Sequence, residues 1–145
     1  MILFFWAVWL SVVVTTNVLN GLQALAVIPP EFKFVSGNWQ AINQAMDPLG
    51  VPRGLQGMMF ASAIGGEAIA AALFWWAFAT YRGRPLSQEK PALLACGANL
   101  ALWAAFQILD EVFLTFQPEA VHRTIFLIQL VTILVLQWQP AQRTE

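Results

Sequence analysis

The stretch "SAIGGEAIAAALFWW", residues 62–76, is apolar except for Ser62 and one carboxylate, Glu67. It is the middle of a longer apolar run, residues 55–79. Three more such runs occur, at roughly 2–27, 91–110 and 119–138. A helix needs about 20 apolar residues to cross a bilayer, and each run is near or above that length. The expected fold is therefore all-α: a four-transmembrane-helix bundle forming a single domain over residues 1–145.

Composition points the same way. The chain is 59% hydrophobic and only 10% charged, against about 25% charged residues in soluble domains. A soluble domain of 145 residues could not bury so much apolar surface. The lipid bilayer is the expected surrounding. Net charge is −1 with no basic patch, so nucleic acid is not an expected partner. The lone cysteine, Cys96, excludes an intrachain disulfide and a cysteine-rich metal site. It stands among small apolar residues and reads as a core or lipid-facing side chain. The first run resembles a signal peptide at Ala24-Leu25-Ala26, but no basic residue precedes it, so it is expected to be a retained span.

Topology follows from lysine and arginine in short loops. Arg82, Arg84 and Lys90 crowd the loop between spans 2 and 3, and Arg143 lies in the C-terminal tail. Lys33, Arg53 and Arg123 are scattered on the opposite side. Both termini are expected in the cytoplasm of a bacterial inner or photosynthetic membrane, with the 1–2 and 3–4 loops outside. Trp6, Trp9, Trp75, Trp76 and Trp138 would then all mark the cytoplasmic boundary, where indole prefers to sit.

Pro29-Pro30 is expected to end span 1, and Pro91 and Pro118 to open spans 3 and 4. The loop 28–54 is long for a plain connection. Ser36 or Asn38 could cap a short helix there. Trp39, Ile42 and Met46 share one face of it. That amphipathic helix would lie in the membrane interface, on the bundle itself, or on a partner.

Each span places a polar residue near its midpoint: Glu67, Asn99, Gln129, and Ser11 with Thr15 in span 1. Asn99, Trp103, Gln107 and Asp110 share a face, as do His122, Phe126, Gln129 and Ile133. Thr16, Asn20 and Gln23 lie on one side of span 1. Such faces should point inward, because lipid offers no hydrogen-bond partner. Ser62, Gly66 and Ala70 form a small-residue stripe that allows close helix approach.

A charged acid at the bilayer centre costs about 2.5–3.5 kcal/mol or more. Protonation removes that cost and would let Glu67 donate to Asn99 or Gln129. Arg53 is about 21 Å away along the same helix, too far to pair. Two readings of Glu67 stand side by side: interhelical glue, or a proton-handling or ligand-contacting acid. His122 reads first as a surface or interface histidine, and second as a single axial ligand to haem or chlorophyll. The carboxylates Asp110, Glu111 and Glu119 are expected to face water rather than hold a metal.

The "MDPLGVP" stretch, residues 46–52, the long loop before it and the internal acid in "GGEAIAAALFW" together resemble the DoxX-like group and related small bacterial four-span membrane proteins. The resemblance covers about residues 10–110. It implies a link to quinone-coupled electron-transfer complexes and makes Glu67 the matching acid, without assigning it a role.

No nucleophile elbow, phosphate loop or dinucleotide fingerprint is present, so no catalytic residue and no metal are assigned. The leading functional expectation is a non-catalytic accessory subunit of a larger membrane complex in electron transport, respiratory or photosynthetic. The alternative is a protein that binds quinone, lipid or pigment at the Glu67–Asn99–Gln129–Thr15 layer. A small oligomeric transporter is the third.

Overall fold

The computed structural model describes residues 1–138. It is all-helical among the described residues: α1 (Ile2–Ala24), α2 (Asn38–Met46), α3 (Arg53–Thr80), α4 (Lys90–Val112) and α5 (Phe116–Gln137). Four of these, all but α2, are long and apolar enough to cross a membrane. They form a four-helix membrane bundle with the short α2 in the loop between the first two spans. Arg143 lies outside the described residues.

Helix α3 is the spine. It packs against α1 on one side and α4 on the other, and α4 packs against α5. The small-residue stripe explains one of these contacts. A Cβ on Gly66 would stand 2.9 Å from Leu102 Cδ1, so α3 and α4 meet where Gly66 leaves room. The dense apolar core lies toward the end bearing the N-terminus and the α3–α4 connection, around Leu3, Leu10, Phe74, Ala95 and Leu136.

Three tryptophans depart from the expected boundary belt. Trp6 is only 2% exposed, and its Nε1 donates to Thr132 Oγ1 at 3.0 Å, tying α1 to α5. Trp9 is half-buried against Trp6 and Trp103. Trp75 is exposed but donates its Nε1–H to Ser11 Oγ at 3.0 Å. Each indole N–H or ring has found a partner inside the protein instead of headgroup or water. Trp76 and Trp138 remain outward-facing and unshielded.

Helix α1 stops at Ala24, before Pro29-Pro30. Its end is a Schellman motif. Ala26 adopts φ 55°, Val27 N–H donates to the Leu22 carbonyl at 2.9 Å, and Ala26 N–H donates to that of Gln23 at 3.0 Å. The backbone carbonyls are satisfied without the prolines. Pro91 and Pro118 both sit in the first turn of their helices, as the second residue of α4 and the third of α5.

The start of α2 is capped by Ser36, as expected, and by α1: the Asn38 N–H donates to Ser36 Oγ at 3.2 Å. Gly37, at φ 79°, is the N-cap residue. The Trp39 N–H donates to Asn20 Oδ1 of α1 at 2.7 Å. Asn20 Nδ2 donates to Gln40 Oε1 at 3.0 Å, and Ser36 Oγ donates to Asn20 Oδ1 at 3.4 Å. The apolar face of α2 turns onto the bundle: Met46 is buried, Ile42 is half-buried, and Trp39 lies 5.8 Å from the Phe60 ring. Past α2, Asp47 accepts from Arg53 and from the buried Gln56 at 2.7 and 2.9 Å, closing the loop onto the start of α3.

Candidate functional site

Between the α2 end of the bundle and its middle lies a cavity of about 690 Å³. That falls within the roughly 300–1,000 Å³ range of small-molecule sites. Phe60, Met59, Trp103, Phe106 and Ile125 are among its apolar walls, and Ile42 and Met46 of α2 cover one side. Leu55, Met58 and Ser62 of α3, Ala105 and Leu109 of α4, and Val121 of α5 line the cavity and also face outward. The cavity is therefore open at the side of the bundle, within the apolar length of the helices.

Two polar groups interrupt this lining. The first is built on Glu67. Asn38 Nδ2 donates to Asn17 Oδ1 at 2.8 Å, and Asn17 Nδ2 donates to Glu67 Oε2 at 2.7 Å. Asn17 can offer its N–H₂ to the acid because its oxygen is already used by Asn38. All three residues line the cavity. Glu67 Oε1 has no hydrogen-bond partner among the described residues.

The second is the pair of His122 and Asp110. His122 Nδ1 lies 2.6 Å from Asp110 Oδ2. Thr115 Oγ1 donates to Asp110 Oδ1 at 3.2 Å. The Schellman end of α4 makes this possible. Leu114 takes φ 55°, and Thr115 N–H returns to the Asp110 carbonyl at 2.8 Å. Asp110 is buried, contrary to the expectation that the carboxylates at this helix end face water. Its charge is met by two donors, so burial is tolerated. Glu119 is instead paired with Arg123 at 3.3 Å, and Glu111 is exposed. The His122 ring packs 5.5 Å from Trp103 and 5.2 Å from Phe106, lines the cavity, and is 24% exposed.

Both polar groups stand against the same part of α4. Gly66, beside Glu67, meets Leu102, and His122 meets Trp103 and Phe106. The two polar groups stand on different helices: Glu67 is beside the level of Leu102, and His122 lies between Trp103 and Asp110, nearer the α2 end of the bundle.

The expected four-span polar layer is split. Asn99 Nδ2 donates to Gln129 Oε1 at 2.8 Å, and Trp103 Nε1 donates to Asn99 Oδ1 at 2.8 Å. Glu67 joins neither. The faces of α4 explain this: Asn99 and Trp103 turn toward α5, while Leu102 on the neighbouring face meets α3. Thr15 is exposed and donates only to the Ser11 carbonyl of its own helix at 2.7 Å. Asn17, two residues on, takes the place expected for it. Asn17 and Asp110 both carried a signal in the sequence: a polar side chain in an apolar helix must be paired.

No Lys or Arg lines the cavity among the described residues. The described residues contain no group of three or more His, Cys, Asp or Glu side chains able to hold a metal. No protein-family model, no curated protein and no solved structure matches the chain.

Proposed function

We propose that this membrane protein binds a lipid-soluble ring compound with oxygen groups on two sides, of the quinone and hydroquinone class. The carrying observation is the cavity itself: apolar walls, a side opening among lipid-facing residues, and two polar groups, Glu67 and His122, on different walls. An apolar body would be held by Trp103, Phe106, Met59 and Phe60. One oxygen would meet Glu67 and the other His122.

The chemistry of the lining weighs against other lipids. A phospholipid or fatty-acid head is anionic and would meet two carboxyl groups and no Lys or Arg. A sterol has one hydroxyl and would leave one polar group unpaired. A tetrapyrrole would use His122 alone as a ligand and leave Glu67 without a role. The side opening supports entry from the bilayer rather than from water.

A place in a larger electron-transfer assembly is compatible with this binding role. The outward faces of α1, α3, α4 and α5 are apolar along their length, which suits lipid and neighbouring subunits equally. We place the chain in a bacterial inner or photosynthetic membrane, with the Arg82–Lys90 connection in the cytoplasm, on the charge bias of its loops.

The test is to purify the chain in mild detergent, extract it with organic solvent, and identify what was bound. A ring compound with two oxygen substituents, near one per protein, is expected. Recovery of phospholipid alone would contradict the proposal.

A further inference from the structure

The hydrogen-bonding character of His122 is set by its neighbour. A carboxylate only accepts, so Asp110 Oδ2, at 2.6 Å, requires the proton on Nδ1. In the neutral ring Nε2 is then a bare acceptor. In the protonated ring Nε2 becomes a donor. Nε2 has no partner among the described residues, and the ring lines the cavity. Asp110 is itself held by Thr115 and by the turn at Leu114, so the ring cannot exchange tautomers without losing that bond.

We infer that the Asp110–His122 pair makes the site's preference for the reduced level of its ligand depend on protonation. This rests on the quinone-class reading above. Neutral His122 accepts from the hydroxyl of a hydroquinone and has nothing to offer a carbonyl. Protonated His122 donates to the carbonyl of a quinone and equally to a hydroxyl oxygen, so protonation removes the preference for hydroquinone. The only exchange is one proton between solvent and imidazole, and no electron transfer is invoked. Asp110 is a positioning residue, acting through His122. By linkage, the oxidation level that is bound shifts the proton affinity of His122 by the same factor that protonation shifts binding.

Other ionisable groups near the ring are few. Glu119 and Arg123 neighbour it on α5 and are paired with each other. Glu111 on α4 is exposed. Glu67 on α3 faces the same cavity from another wall. The described residues of α1 and α2 that line the cavity carry no titratable side chain. Glu67 is the one that could mimic the effect. Glu67→Gln removes its titration and keeps one donor and one acceptor, so the experiment includes that background.

The experiment measures dissociation constants of a short-tailed p-benzoquinone and of its hydroquinone, at about pH 5 and about pH 8. The full chain is used in detergent, with the hydroquinone kept anaerobic. In wild type the preference for hydroquinone is expected to rise about tenfold between the two pH values; Glu67→Gln alters a ligand contact and shifts both affinities, so it is read only for whether the ratio still changes with pH. Asp110→Asn, with its amide oxygen kept on Thr115, turns its N–H toward Nδ1 and moves the ring proton to Nε2, so it should lose the hydroquinone preference at pH 8. His122→Gln, which does not titrate, should show no pH dependence. A pH-independent ratio in wild type, or an Asp110→Asn protein with wild-type preference, overturns the inference while leaving quinone-class binding intact. Failure of both forms to bind at either pH overturns the binding reading as well.

Discussion

Asn17 Nδ2 lies 2.7 Å from Glu67 Oε2, and it is the only hydrogen bond to that carboxyl among the described residues. The acid at the centre of the longest span is thus satisfied from α1. An amide at position 67 can still accept from Asn17. Glu67→Gln should therefore keep the fold and melt within about 1 kcal/mol of wild type. Asn17→Ala removes the donor and leaves both Glu67 and Asn38 unpaired, at a cost of about 1–3 kcal/mol. Thermal unfolding in detergent, followed by tryptophan fluorescence, checks both. A Glu67→Gln protein as damaged as Asn17→Ala would mean that the acid is ionised and charge-paired.

Gly66 controls the approach of α3 to α4. Its Cβ position is 2.9 Å from Leu102 Cδ1, the free end of a side chain that can turn aside. Gly66→Ala should be mild, under about 1 kcal/mol. Gly66→Leu should cost about 1–3 kcal/mol by overpacking. Pairing it with Leu102→Ala should recover part of that loss, and the double-mutant cycle measures the recovery. Purely additive effects would place the contact elsewhere.

Trp6 is a structural residue of the core. Its N–H to Thr132 Oγ1 joins α1 to α5. Trp6→Phe and Thr132→Val should each destabilise by about 0.6–2 kcal/mol, with a favourable coupling between them. A boundary tryptophan would show no coupling with a threonine on another span.

The four spans were legible from length and composition, because lipid exposure needs no periodicity to be visible. Which face of each helix pairs with which was not. Midpoints alone put Thr15 level with Glu67, yet the register of α1 against α3 brings in Asn17. The Asp110–His122 contact depends on Leu114 entering the left-handed region, which a leucine rarely does. Nothing in the residue types announces that turn. The capping of α2 by Asn20 was hidden for the same reason: its partner is distant in the chain.

Leu114 at φ 55° carries strain of about 1–2 kcal/mol. Leu114→Gly should relieve it and raise the melting temperature, because the side chain is exposed and makes no core contact. A lower melting temperature would mean that Leu114 packs against something in the membrane.

Asn20 fastens α2 over the cavity through Trp39, Gln40 and Ser36. Asn20→Ala should speed amide exchange across residues 38–46 while α3 and α4 remain protected. Unchanged exchange there would show that the apolar face of α2 suffices to hold it.

Ligand binding in the cavity can be read by titrating the full chain with a short-tailed p-benzoquinone and following tryptophan quenching, with Trp103 in the wall as the reporter. Wild type should quench to saturation at about one ligand per chain. Ala105→Trp, which plugs the rim of the cavity from an outward-facing position, should abolish saturable quenching and leave the melting temperature unchanged. Quenching that rises without limit and is identical in the two proteins would show only partitioning into detergent, and the cavity would not be a quinone site.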